Sequence, residues 1–161
     1  MSRNTVFARV PAAFAAVVLI AGLSACGGGS TTPTGNNNNN NSNQTSTVTT
    51  TLPTFTFNSV PPGVVVFSDV SVNGSGTLSL IADWTFSSSD IDVYVTATSC
   101  GATNVNNLQS SCSAIARTTA TATKPERLSV PVSQGNYRLW IANFGPSTES
   151  GTLQATATVT R

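Results

Sequence analysis

The sequence predicts an all-β fold: a single antiparallel β-sandwich of about seven to eight strands, preceded by segments that build no core. Three observations carry this. Apolar residues recur with period two through most of the chain after Pro53, short turn signals separate the alternating runs, and no amphipathic helical pattern of useful length appears after the N-terminal apolar stretch. Of the 161 residues, those from Thr54 to Arg161 can bury a shared interior, which fits one small domain.

In chain order, Arg3 and Arg9 precede an apolar run from Val10 to Gly22, the length of a signal-peptide core and short for a bilayer span. It ends in "LSAC" (Leu23, Ser24, Ala25, Cys26), which resembles the lipobox of bacterial lipoproteins. The resemblance implies removal of residues 1–25 and acylation of the Cys26 thiol and the new amino group, anchoring the chain in the bacterial cell envelope. Two or three acyl chains hold a protein where one would not, each buried CH₂ contributing about 0.8 kcal/mol. Gly27, where aspartate favours inner-membrane retention in enterobacteria, is compatible with the outer membrane, on its periplasmic or surface face. Residues 26–53, rich in Gly, Thr and Asn and with asparagine at every position from Asn36 to Asn41, are expected to be a disordered tether. As a flexible coil this tether would span roughly 30 Å.

The first clear strand places Leu78, Leu80, Ala82, Trp84 and Phe86 on one face, against Thr77, Ser79, Ile81, Asp83 and Thr85. The next sets Ile91, Val93, Val95 and Ala97 inward and Asp92, Tyr94, Thr96 and Thr98 outward. Further strands are expected over Val64 to Val72, Ala114 to Thr123, Arg127 to Val132, Tyr137 to Asn143 and Thr152 to Thr160, with turns at Asn73-Gly74, Ser87 to Ser89, Gln134-Gly135-Asn136 and Gly145-Pro146. Val105 to Ser110 is long enough for one helical turn.

The stretches "ADWTFSSSDIDVYVT", "ERLSVPVSQGNYRLWIANFG" and "GTLQATATV" resemble the bacterial pre-peptidase C-terminal domain, with its D-x-D-x-Y strand and its P-x-G-x-Y-like hairpin leading to a strand that ends in asparagine. The resemblance covers roughly residues 60–161 and implies a jelly-roll-like sandwich that assists secretion, binding or adhesion. This chain departs from the family in lacking an accompanying protease domain, in carrying Gln134 where alanine is commoner, and in the Cys100 to Cys112 insertion.

Composition narrows the function classes. Charged residues make up 8% of the chain, against about 25% in ordinary soluble domains. After removal of the leader, five basic residues (Arg117, Lys124, Arg127, Arg138, Arg161) face six acidic ones, a net charge of −1 with no basic cluster, which argues against nucleic acid as a partner. With Cys26 given to lipid, Cys100 and Cys112 remain as a pair in an oxidising compartment and are expected to form a disulfide. The chain has no histidine, so neither a Ser-His nor a Cys-His arrangement can be built, and no enzyme activity, cofactor or zinc is expected. Asp90 and Asp92 lie two apart on one strand, about 7 Å from each other on the same face, and Asp83 could approach from a neighbouring strand. A calcium ion would use these carboxylates but needs more oxygens, so a solvated strand edge that discourages edge pairing is expected.

Binding residues follow from strand direction. With Tyr137, Leu139 and Ile141 inward, Arg138 and Trp140 point outward, and Tyr94 lies on the polar face of its strand. Exposed, these would form a platform for sugar stacking or a protein anchor; alternatively Trp140 lies beneath a loop or the segment around Phe55 and Phe57. The expected partners are the membrane, through the lipid, and an envelope polysaccharide, peptidoglycan or protein. An accessory subunit of a surface or secretion complex is the alternative.

Overall fold

The computed structural model describes residues 45–121 and 123–161. The expected signal peptide, the lipidation candidate Cys26 and the expected tether as far as residue 44 lie outside the described residues. Those residues hold nine strands and one short helix: β1 (Thr47–Thr51), β2 (Phe55–Val60), β3 (Val65–Val72), β4 (Ser75–Trp84), β5 (Ile91–Ala97), α1 (Val105–Ser111), β6 (Ala114–Arg117), β7 (Glu126–Val132), β8 (Gly135–Asn143) and β9 (Glu149–Thr160).

Two antiparallel sheets form, one with the order β1-β9-β4-β7 and with β2 also on β9, the other β3-β8-β5-β6. Pairing is nested: β2 with β9, β3 with β8, β4 with β7 and β5 with β6. A long hairpin of four strand pairs, rolled so that successive pairs fall in alternate sheets, is the jelly-roll arrangement. The Asn73-Gly74 corner carries the chain from β3 to β4; Gly74 has φ 145°, a conformation that a side chain would strain.

The interior lies between the sheets and is filled by the inward set of each alternating strand. Leu78, Leu80, Ala82 and Trp84 of β4 face Ile91, Val93 and Val95 of β5, Leu139 and Ile141 of β8, and Leu153, Ala155, Ala157 and Val159 of β9. All of these are buried, so the expected inward faces of β4, β5 and β8 hold over these residues. The pattern stops earlier than expected at three ends. Ala97, placed inward by alternation, is exposed at the last position of β5. Phe86, placed inward by alternation, lies beyond the end of β4 and is 51% exposed. The strand expected from Ala114 to Thr123 is only β6, because after Arg117 the sequence offers threonine and alanine with nothing apolar to bury.

The domain boundary also moves. Thr47–Thr51 was expected within the tether but pairs with β9 in register from Thr47↔Thr160 to Thr51↔Thr156, and β2 continues along β9 from Phe55↔Leu153. Leu52 between them still donates its N–H to the Ala155 carbonyl. Low hydrophobicity excludes a core strand, yet a run of threonines with one valine needs only backbone pairing to become an edge strand, and β-branched residues suit it.

Candidate functional site

The outer face of the second sheet carries the residues that alternation turned away from the interior. Tyr94 and Thr96 of β5 and Trp140 and Ala142 of β8 sit side by side there, with Val65 of β3 beside them. They are covered. Val105 and Leu108 of α1, together with Ala102, Phe144 and the Cys100–Cys112 disulfide, close a second apolar cluster over them. α1 starts where the Asn104 side chain accepts a hydrogen bond from the Asn107 N–H at 2.9 Å, an N-cap, and it presents its two apolar residues to the sheet. The cysteine Cα atoms are 5.4 Å apart, so the disulfide ties both ends of the covering segment together.

Trp140 is therefore 0% exposed and Tyr94 2% exposed, and neither offers a stacking surface. Their outward direction is as expected; the assumption that outward means exposed fails because a covering segment lies on them. Phe55 and Phe57 do not form that cover, since both pack with the inter-sheet interior. The polar tips are satisfied beneath the cover: Trp140 Nε1 donates to Thr96 Oγ1 at 2.9 Å, and Gln109 Nε2 donates to the Tyr94 hydroxyl at 3.3 Å.

Arg138 is equally committed. Its Nε and Nη2 donate to the two Asp69 carboxylate oxygens at 2.7 and 2.8 Å, its Nη1 donates to the Cys100 carbonyl at 2.7 Å, and its guanidinium lies 3.8 Å from the Phe67 ring centroid. The hydrogen-bonded Arg138 holds the Asp69 carboxyl below the usual range, and Asp69 raises Arg138 in return. Arg138 thus pins the start of the covering segment to β3.

Of the acidic candidates, Asp90 and Asp92 are neighbours and Asp83 is engaged elsewhere. Asp83 makes an ion pair with Lys124 at 3.3 Å, while the groups that perturb Asp92 are Asp90 and Glu126. Burial, then the negative charges of Asp90 and Glu126, push Asp92 up to about 6 from 3.8, against the opposing pull of the Thr118 hydroxyl and Arg117. Asp92 is buried rather than the solvated edge group the sequence suggested. Among the described residues no three histidine, cysteine or carboxylate side chains are arranged to hold a metal ion.

Open surface lies instead along the flank where the sheets part. β2 and β3 are edge strands of opposite sheets, and between them runs a groove of about 650 Å³ lined by Phe55, Phe57, Val66 and Phe67, with Asn58 and Thr103 as polar neighbours. Phe67, 43% exposed, stands at its rim with one ring contact to Arg138 and a tilted contact to Trp140 at 4.9 Å between centroids. Sequence reasoning passed over Phe67, although an aromatic in the outward set of "VVFSDVSV", opposite inward Val66 and Val70, is the signal that marks it. No protein-family model matches this chain, and no curated protein matches it at a significant level.

Proposed function

We propose that this is a lipid-anchored protein of the bacterial cell envelope, akin to proteins with pre-peptidase C-terminal domains, whose β-sandwich is a non-catalytic binding module. Its ligand sits in the β2/β3 groove. The observation that carries this reading is the groove itself: three phenylalanines line it, its volume falls within the roughly 300–1,000 Å³ of ligand pockets, and Phe67 stays partly exposed although a covering segment lies on its neighbours. An apolar face edged by Asn58 and Thr103 suits the ring of an envelope polysaccharide or of peptidoglycan glycan, with the amide and hydroxyl reading its polar substituents. The LSAC sequence at Cys26 supports the anchor, and the missing histidine supports a role without catalysis.

The experiment is co-sedimentation of the full-length chain with purified peptidoglycan sacculi and with envelope polysaccharide. Retention that Phe67→Ala abolishes supports the reading; no retention, or retention indifferent to Phe67 and Phe55, refutes it. The second reading, an accessory subunit docking to protein, is favoured by β3 being an edge strand. The Asn143 N–H donates to the Val64 carbonyl, so the alternate peptide groups of Phe67, Asp69 and Ser71 face away from β8, where a partner strand could add. Cross-linking of the chain to one defined envelope protein, without retention on glycan, would select it.

A further inference from the structure

β6 and β7 are edge strands of opposite sheets, and the connection between them begins where one carboxyl group arrives from each sheet. Asp92 belongs to β5, and Glu126 opens β7. Thr118, one residue past the end of β6, bonds to both, and all three residues are buried. The Thr118 N–H donates to the Val93 carbonyl at 3.0 Å, and its hydroxyl accepts from the Val93 N–H at 2.9 Å. That hydroxyl lies 3.4 Å from Asp92 Oδ1 and hydrogen-bonds to Glu126, which also accepts from the backbone of Ala120.

Donors and acceptors do not balance here while both acids are ionised. A threonine hydroxyl carries one hydrogen, so it donates to one of the two carboxylates at a time. The other then faces Thr118 without that donor and beside a second negative charge, in a buried place where an unmet acceptor is costly. One proton on either carboxyl closes the network. Thr118 then accepts from the protonated acid and donates to the ionised one, with Val93 still in place.

The surroundings favour that proton. Burial acts first, pushing Asp92 up to about 6 and Glu126 in the same direction. Asp90, just before β5, adds its negative charge on both acids, while Arg117 of β6 opposes on Asp92 as the weakest of the influences there. β8 places uncharged Ala142 opposite Asp92. Near Glu126, Asp83 of β4 is paired with Lys124, and Arg127 alternates to the other face of β7.

We propose that Asp92, Thr118 and Glu126 form a proton-operated clasp that ties the start of the β6–β7 connection across the two sheets, closed while one proton is held between the carboxyls and loosened when it leaves. The departing proton goes to solvent and leaves two carboxylates. Two of the bonds that seat the connection run through the clasp, Thr118 to Val93 and Ala120 to Glu126, so opening frees this end before the strands part. Lys124, held by Asp83, keeps the other end. The clasp shares no residue with the β2/β3 groove and stands apart from what binds there.

Hydrogen exchange of the full-length chain, followed by NMR as protection factors, tests this at the Thr118 and Ala120 amides. With Asp92 near 6 when closed and 3.8 when open, the open-to-closed ratio should rise about tenfold from about pH 5 to about pH 7.5, and protection should fall by that factor. The fall should be insensitive to low urea, whereas exchange at β4 amides, which needs global unfolding, should respond to it. The double variant Asp92→Asn, Glu126→Gln keeps the shapes but cannot titrate, and its protection should stay within about twofold over the same range. In the unmodified chain the carboxyl carbons of Asp92 and Glu126 should each shift in two steps, because each acid feels the other's ionisation. Protection that ignores pH, a fall that survives in the double variant, or a fall that appears only together with β4 and with urea would overturn the proposal. Single-step, mutually independent titration of the two carboxyls would overturn it as well, with no variant needed.

Discussion

The space between the two sheets and the patch beneath α1 are built from the same two strands, and they differ in what they ask of the sequence. Ile91, Val93 and Val95 go to one side of β5 and Asp92, Tyr94 and Thr96 to the other; Leu139 and Ile141 go to one side of β8 and Trp140 and Ala142 to the other. Between the sheets two pleated surfaces meet over their whole length, and aliphatic chains fill the gap. Beneath α1 the cover is a short helix and its flanking loop, so large rings with polar tips do the filling and find partners at Thr96 and Gln109. Strand alternation reports direction. Whether the outward side is wet depends on a segment elsewhere in the chain, here one closed by a disulfide and held at its start by Arg138.

The largest expected effect comes from removing the ring that fills the outer patch. Trp140→Ala should cost about 3–5 kcal/mol in urea unfolding, as for any large side chain taken from a packed interior. A loss within about 0.5 kcal/mol would mean that the cover is not closed, and would return Trp140 to the solvent-facing role its strand position first suggested.

Opening the cover itself is expected to rank next. Cysteines 100 and 112 are 12 positions apart, and releasing a loop of that size should lower stability by about 3 kcal/mol in the chain-entropy picture. The paired Cys100→Ser, Cys112→Ser variant should lose protection in the covering segment first, which hydrogen exchange at the amides of α1 and of β4 can compare. Equal loss in both elements would dissolve the distinction between the two regions.

Asp92 lies on the same outward side of β5 as Tyr94 and sharpens the contrast electrostatically. Its pKa is about 6 folded and 3.8 unfolded, so the native state holds the proton more tightly and stability falls as pH rises from about 4 to about 6. Asp92→Asn keeps an oxygen for the Thr118 hydroxyl and removes the buried charge. It should raise stability at neutral pH by about 2 kcal/mol and flatten that slope, as thermal melts across pH would report. A steeper slope in the variant would reverse the assignment.

Phe67→Ala should be the mildest of the four, within about 1 kcal/mol, because its ring is half outside both regions. It should nonetheless remove retention on envelope glycan.

How legible the molecule was follows the same division. Long alternating runs gave up β3, β4, β5, β7, β8 and β9, since each must present one apolar face to a shared interior and period two is the only way to do so. β1 was hidden because an edge strand whose faces are both largely polar has no such signature, and β2 because its alternation spans only Phe55 to Val60. The jelly-roll pairing was anticipated as a class but not strand by strand, since partner choice is long-range. The Cys100–Cys112 pairing could be read from cysteine count and the compartment that the LSAC resemblance implies, but not that the loop it closes lies over Trp140. Glu126 went unnoticed although it occupies an inward position in register with Leu128, Val130 and Val132, where a carboxylate is out of place. The β2/β3 groove was invisible for a simpler reason: it is made of two edge strands that meet only after both sheets have formed.

The outer aromatic face is sealed, and the open apolar surface lies along the flank between β2 and β3 instead. Acrylamide quenching of the full-length Trp84→Phe variant, whose remaining tryptophan is Trp140, tests this directly. With the disulfide intact, quenching should be close to that of a fully buried indole, and reduction should raise it while the sheets stay folded by circular dichroism. Quenching as efficient as that of free indole in the oxidised protein would contradict the account.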